Sequence, residues 1–111
     1  MAEPRLASHI WIAAWRARLE AAGIPVYVRH RGDPTAGSVL VKLATLDGRA
    51  VLKGRSVDLM TGERTWMVLA EGPEADVEDS LARQRRYDPD LWVVEVEDRQ
   101  GRDFLDAEGL D

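Results

Sequence analysis

Residues 80–98, Ser-Leu-Ala-Arg-Gln-Arg-Arg-Tyr-Asp-Pro-Asp-Leu-Trp-Val-Val-Glu-Val-Glu-Asp, leave the chain few options. Pro89 lacks an N–H and clashes with the preceding helical turn, so any helix running into it must stop. Beyond it, Trp92, Val94 and Val96 fall on one side of an extended segment, and Val93, Glu95 and Glu97 on the other. A helix end, a forced turn and a strand therefore follow one another without a linker. The helix spans about 74–87. It opens on Glu74, Asp76, Glu78 and Asp79 and closes on Arg83, Arg85 and Arg86, the charge order that complements a helix dipole. Its apolar stripe is thin, limited to Val77, Leu81 and Tyr87.

The opening of the chain is a second well-marked helix, about residues 8–22. Trp11, Ala14, Trp15, Leu19 and Ala22 recur at spacings of three and four, with Ser8 placed to cap the N-terminus. Gly23 stands where positive φ ends a helix, Ile24 can fold back on the last turn, and Pro25 blocks continuation. The apolar face extends to Ile10 and Ile12, wide enough to suggest homodimerisation through this helix. Trp11, Trp15, Trp66 and Trp92 come from three separate segments, so the simplest expectation is one shared core or one interface.

Between the helices the pattern changes to strands: 26–31, then 38–45 and 50–55 around Asp47-Gly48, then 64–69 with Trp66 and Val68. Asp-Gly favours a two-residue type I′ turn, which predicts a register. Val41 then faces Gly54 and Leu43 faces Leu52 on the core side, while Lys42 faces Lys53 and Leu40 faces Arg55 on the other. Two lysines directly opposed cost stability unless carboxylates lie beside them. Glu95 and Glu97 can supply these if the last strand, 91–97, neighbours the hairpin. Asp103-Phe104-Leu105 can add a short sixth strand, and the acidic tail of 106–111 is expected to fray.

The expected architecture is α+β in two layers: a single domain over 1–111, its core at about 8–105. It has an antiparallel sheet of about five strands with both helices on one face, in the order α-β-β-β-β-α-β. A chain of 111 residues buries about 65% of its unfolded surface, enough for one core. Trp11, Trp15, Leu19, Val28, Val41, Leu43, Leu52, Val68, Leu81, Trp92, Val94 and Val96 are expected to fill it.

Cysteine is absent, which removes disulfides, thiolate nucleophiles and Cys-based metal sites, and points to the cytoplasm. Neither a signal sequence nor a membrane span is legible. A net charge of −5 opposes non-specific nucleic-acid binding by the whole molecule. Ser8 and Ser38 lie outside any G-x-S-x-G elbow, His9 and His30 lack metal-ligand spacing, and no Walker A or G-x-G-x-x-G loop is present, so no cofactor or metal is expected.

Three readings follow. The first is a binding or interaction domain without catalysis, its partner an unidentified protein or a second copy. The second is a metal-assisted phosphodiester hydrolase resting on Lys42, Lys53, Glu95 and Glu97, in which Glu95, Glu97 or Asp98 binds a divalent cation and Lys42 stabilises the anionic transition state. Solvent-face ion pairing accounts for the same four residues without a ligand. The third is a nucleic-acid module using Arg83, Arg85 and Arg86 with Tyr87, against which helix-dipole complementation suffices.

The order of motifs also carries a resemblance. Ile10-Trp11, Ala22-Gly23-Ile24-Pro25, Val28-Arg29-His30-Arg31-Gly32-Asp33, Ala36-Gly37-Ser38-Val39-Leu40-Val41-Lys42, Leu46-Asp47-Gly48 and above all the run Ala82 to Arg99 resemble a family of small uncharacterised alphaproteobacterial proteins. The resemblance spans the chain except for residues 55–64 and the tail after Leu105. It implies a domain of unknown function, with no catalytic residues to carry over.

Overall fold

The computed structural model describes residues 6–106. Its elements are α1 (Ser8–Ala21), β1 (Val26–His30), β2 (Val39–Ala44), β3 (Arg49–Val57), β4 (Arg64–Pro73), α2 (Glu74–Tyr87) and β5 (Trp92–Glu97), so the expected order holds. They form an α+β fold around one five-stranded sheet of order β1-β5-β2-β3-β4. The sheet is mixed, since β5 enters between β1 and β2, antiparallel to the first and parallel to the second.

The helices do not share a face. Trp11, Ile12, Trp15 and Leu19 of α1 pack with Val41, Leu43, Trp92, Val94 and Val96. Val77 and Leu81 of α2 pack with Leu40, Leu52, Leu91 and Val93. Strand neighbours alternate between these clusters, which puts one helix on each side and makes three layers instead of two. Because β5 is covered on both faces, Val93 is as deeply buried as Val94, 1% and 0% exposed. Of the expected core, only Val28, half-buried, and Val68, 49% exposed, fall outside it. Val68 lies on the edge strand β4, beyond the reach of α1.

Helix α1 ends as its sequence predicts. Gly23 has φ +77°, its N–H donates to the Glu20 carbonyl, and the Ile24 N–H reaches back to Leu19 while the Ile24 side chain is buried. Its start differs: Ala7 is the cap, and Ser8 is the first helical residue, with its hydroxyl donating to the Gly37 carbonyl at 2.5 Å. The first turn is thereby stitched to the loop of residues 31–38. That loop lies so close to the turn before β5 that a Cβ on Gly32 would sit 2.1 Å from the Asp90 carbonyl oxygen, and one on Gly37 2.6 Å from it. Residues 103–105 form no strand. Phe104 takes φ +53°, while Asp103 and Leu105 are buried beneath α1, with the Trp15 indole donating to the Asp103 carbonyl at 2.8 Å. Of the tail expected to fray, residues 107–111 lie outside the described residues.

The hairpin register is one residue from that predicted. Its loop has three residues, Leu46, Asp47 and Gly48, closed by the Thr45 N–H donating to the Arg49 carbonyl at 3.3 Å. Asp47 organises it, accepting from the Thr45 hydroxyl at 2.5 Å and the Arg49 N–H at 3.1 Å, while Leu46 and Gly48 adopt φ of +62° and +85°. Leu52 therefore faces Lys42, and Lys53 faces Val41. A slip of one residue turns every β3 side chain to the opposite face.

Candidate functional site

Two constellations stand out, one on each side of the sheet. On the α2 side, Lys42 rises from the centre of β2, 2% exposed. In the parallel β2–β5 pair Glu95 is directly beside it; β5 does neighbour the hairpin, which the sequence left open. Glu74 and Glu78, one turn apart on α2, reach it from above. The Lys42 Nζ lies 2.8 Å from Glu74, 3.4 Å from Glu95 and 3.5 Å from Glu78. Arg29, the extra residue of a bulge in β1, completes the network with contacts of 2.7 Å to Glu78 and 3.1 Å to Glu95.

Burial pushes the Lys42 pKa down, but the hydrogen bond to Glu74 and the charges of Glu95 and Glu78 outweigh it and hold the ammonium above its usual range. Hydrogen bonding from Arg29 holds the Glu78 carboxyl below its usual range against the opposing effect of burial. Glu97 does not contact Lys42 in this network; it hydrogen-bonds Tyr27 and raises the phenol pKa. Both shifts in the cluster favour the charged forms, which suits ion pairing and opposes use of Lys42 as a neutral nucleophile or Glu78 as an acid near neutral pH.

Lys53 is not part of this arrangement. The hairpin slip places it on the α1 side, with its Nζ 2.7 Å from Asp103. The four residues expected to converge thus separate into Lys42 with Glu95, Glu97 one pair along, and Lys53 across the sheet. Among the described residues there is no group of three or more His, Asp or Glu disposed to hold a metal ion, and every buried side-chain nitrogen or oxygen has a hydrogen-bond partner.

Arg83, Arg85, Arg86 and Tyr87 all lie exposed along the last turns of α2. Arg85 is 3.2 Å from the His30 ring nitrogen Nδ1, and Arg85 and Arg86 border a shallow depression of about 340 Å³ with His30 and Pro89. Arg83 and Tyr87 do not border it. On α1, the two tryptophans of the proposed dimer face are spent in the core, and Ile10 remains outward at 47% exposure.

The second constellation was not singled out from the sequence. At the end of the sheet where β2 begins and β4 starts, a groove of about 380 Å³ opens between the first turn of α1 and residues 35–39. Arg55 and Arg64 border it, together with Leu6, Trp11, Ser38 and Val39. Trp11 and Trp66 lie side by side, 5.4 Å between ring centres, and the Arg55 guanidinium rests over both at 5.0 Å. Such cation–π contacts contribute about 0.5–2 kcal/mol each and fix the guanidinium orientation. The predicted register sent Arg55 to the far face; with a three-residue loop it comes to lie across from Trp66. Correct register was the only signal that could have found it.

Fold and site together define a small α+β domain, a mixed sheet screened by one helix on each face, with a closed ion network and an open aromatic–arginine groove. The chain belongs to the family described as protein of unknown function (DUF1491), whose profile matches residues 6–106. A crystal structure and an NMR structure of a DUF1491 protein from Caulobacter crescentus CB15 are similar to it. They are 40% and 41% identical, cover 92% and 93% of this chain and 94% of theirs, and give TM-scores of 0.81 and 0.80. A solution structure of a protein from A. tumefaciens is 32% identical over 85% of this chain and 86% of its own, with a TM-score of 0.72. The relatives are alphaproteobacterial, as the resemblance implied. No curated protein matches.

Proposed function

We propose that this is a cytoplasmic binding domain without catalytic activity, and that the groove between α1 and the start of β4 is its binding surface. The observation that carries this reading is the Arg55 guanidinium held over the Trp11–Trp66 pair at the wall of an open concavity. Preorganised aromatic and arginine side chains are the residue types that dominate binding hot spots. The Lys42 network supports the same reading from the other side: its charges answer one another, as a structural clamp on α2 requires. Among the described residues no helix is long and apolar enough to cross a membrane.

Amide and indole NMR shifts during a fragment screen test this. Fragments that bind should move the Trp11 and Trp66 indole signals and leave Trp92, whose indole donates to the Asp33 carbonyl at 2.7 Å, in place. Hits confined to other surfaces would remove the groove from the proposal. Metal-dependent phosphodiester cleavage abolished by Glu95→Gln would replace it with the hydrolase reading.

A further inference from the structure

We infer that the depression between the last turns of α2 and the end of β1 is a second site, separate from the groove, and that it takes a dianionic phosphate group. Ala82, Arg85 and Arg86 form a triangle on one side of α2, at spacings of three and four, so the two guanidinium groups rise around a floor occupied only by a methyl group. His30 and Pro89 close the far side, and the space between them is about 340 Å³. Both arginines are exposed, and among the described residues neither forms an ion pair. No carboxylate among those residues borders the depression: Asp88 is turned to the Asp90 N–H, which donates to it at 3.0 Å, and Glu78, further back on α2, is held by Arg29 and Lys42.

The polar partner of Arg85 is the His30 ring nitrogen Nδ1, at 3.2 Å. A guanidinium can only donate, so Nδ1 accepts and the ring proton lies on Nε2, which faces the Pro89 carbonyl at 3.4 Å. The imidazole in this arrangement is neutral. It orients Arg85 without cancelling its charge and leaves most of the guanidinium donors unused. Dipole complementation requires only that arginines stand near the C-terminus of α2; it does not account for a bond across to β1. Two guanidinium groups without counter-charges match a group that carries about −2 and three terminal oxygens, which is a phosphate or a phosphate monoester near neutral pH. A carboxylate or a phosphodiester, with a single charge, fills one fork and leaves the other unanswered. Because the depression is shallow, whatever carries the phosphate lies outside it.

The full chain is titrated with inorganic phosphate, phenyl phosphate, dimethyl phosphate, acetate and a single-stranded oligonucleotide, following the arginine Nε–H signals and the amides of residues 82–86 by NMR. Inorganic phosphate and phenyl phosphate should move these resonances, with dimethyl phosphate and acetate at least about tenfold weaker. Tighter binding of phenyl phosphate assigns the site to an organic monoester, and equal binding of the two to the phosphate group alone. Arg86→Gln should weaken phosphate about tenfold with Tm unchanged, whereas Arg83→Gln, on the same helix end but outside the depression, should change it by less than about twofold. His30→Ala keeps both charges but removes the group that orients Arg85, and should weaken binding about threefold; His30→Gln, whose carbonyl can accept from Arg85, should restore most of it. Equal losses in Arg83→Gln and Arg86→Gln, or equal binding of phosphate and acetate, would overturn the site in favour of diffuse attraction. Tighter binding of the oligonucleotide, lost with Arg83→Gln or Tyr87→Ala, would overturn it in favour of a nucleic-acid surface. No response of these resonances to any anion would overturn it outright.

Discussion

At Lys42 a full charge is held beneath α2, and its stability contribution depends on what would be left behind without it. Lys42→Ala strands Glu95, 17% exposed, beside Leu52 and Val93, but Arg29 still answers part of that charge and Glu74 and Glu78 can turn to solvent. The expected loss is about 1–3 kcal/mol by urea denaturation, below the figure for a fully enclosed pair. Glu78 gives a pH test. Its folded pKa lies below the ordinary value of about 4.3, so the stability it contributes is present above that pH and disappears as pH falls through the lowered folded value. Glu78→Gln should flatten the stability curve on the acid side of about pH 4.3, read as Tm against pH, and change its shape little near neutrality. Alternation within their strands made Lys42 and Glu95 candidates for one sheet face, but only the adjacency of β2 and β5 makes them a pair. Glu74, Glu78 and Arg29 were not legible as partners, because nothing local to a sequence says which sheet face a helix will cover or where a bulge will turn an arginine.

The hairpin shows how one element redirects a whole reading. Asp47-Gly48 favours a two-residue turn, but Asp47 can also accept from the Thr45 hydroxyl and the Arg49 N–H, and these bonds stabilise a three-residue loop with Leu46 at φ +62°. A leucine in the left-handed region costs about 1–2 kcal/mol, so Leu46→Asn should stabilise the protein by up to ~1 kcal/mol, measurable as a higher urea midpoint. Leu46→Pro, which cannot reach positive φ, should be strongly destabilising. The 31–38 loop makes the opposite demand. Gly32→Ala and Gly37→Ala each drive a methyl into the backbone of Asp90, so each should lower stability by about 1–3 kcal/mol or more, checked by the same titration. Helix α1, by contrast, was legible almost to the residue, because its stop signal of Gly23, Ile24 and Pro25 is purely local.

Across the molecule, β5 decides the topology. A continuous apolar run, Leu91-Trp92-Val93-Val94, signals burial on both faces. Weighed more heavily than the later alternation of Glu95 and Glu97, it indicates a central strand with a helix on each side. Strand order itself was beyond local pattern, since Val26 pairs with Val96 and Val41 with Val94 across most of the chain. The amides of Val93, Val94 and Val96 should therefore be among the slowest to exchange with deuterium, opening only with global unfolding, while those at the tip of the β3–β4 hairpin, where Leu59 and Met60 are 97% and 93% exposed, should exchange quickly. The position of β5 also bears on synthesis. Among the described residues β1 has its only strand partner in β5, which joins it to β2. Until β5 is available, β1 cannot join the hairpin sheet of β2, β3 and β4. Helix α2 can already cover one face of that sheet, but Trp11, Trp15 and Leu19 of α1 lack Trp92, Val94 and Val96 to pack against, which leaves apolar surface of the kind chaperones recognise.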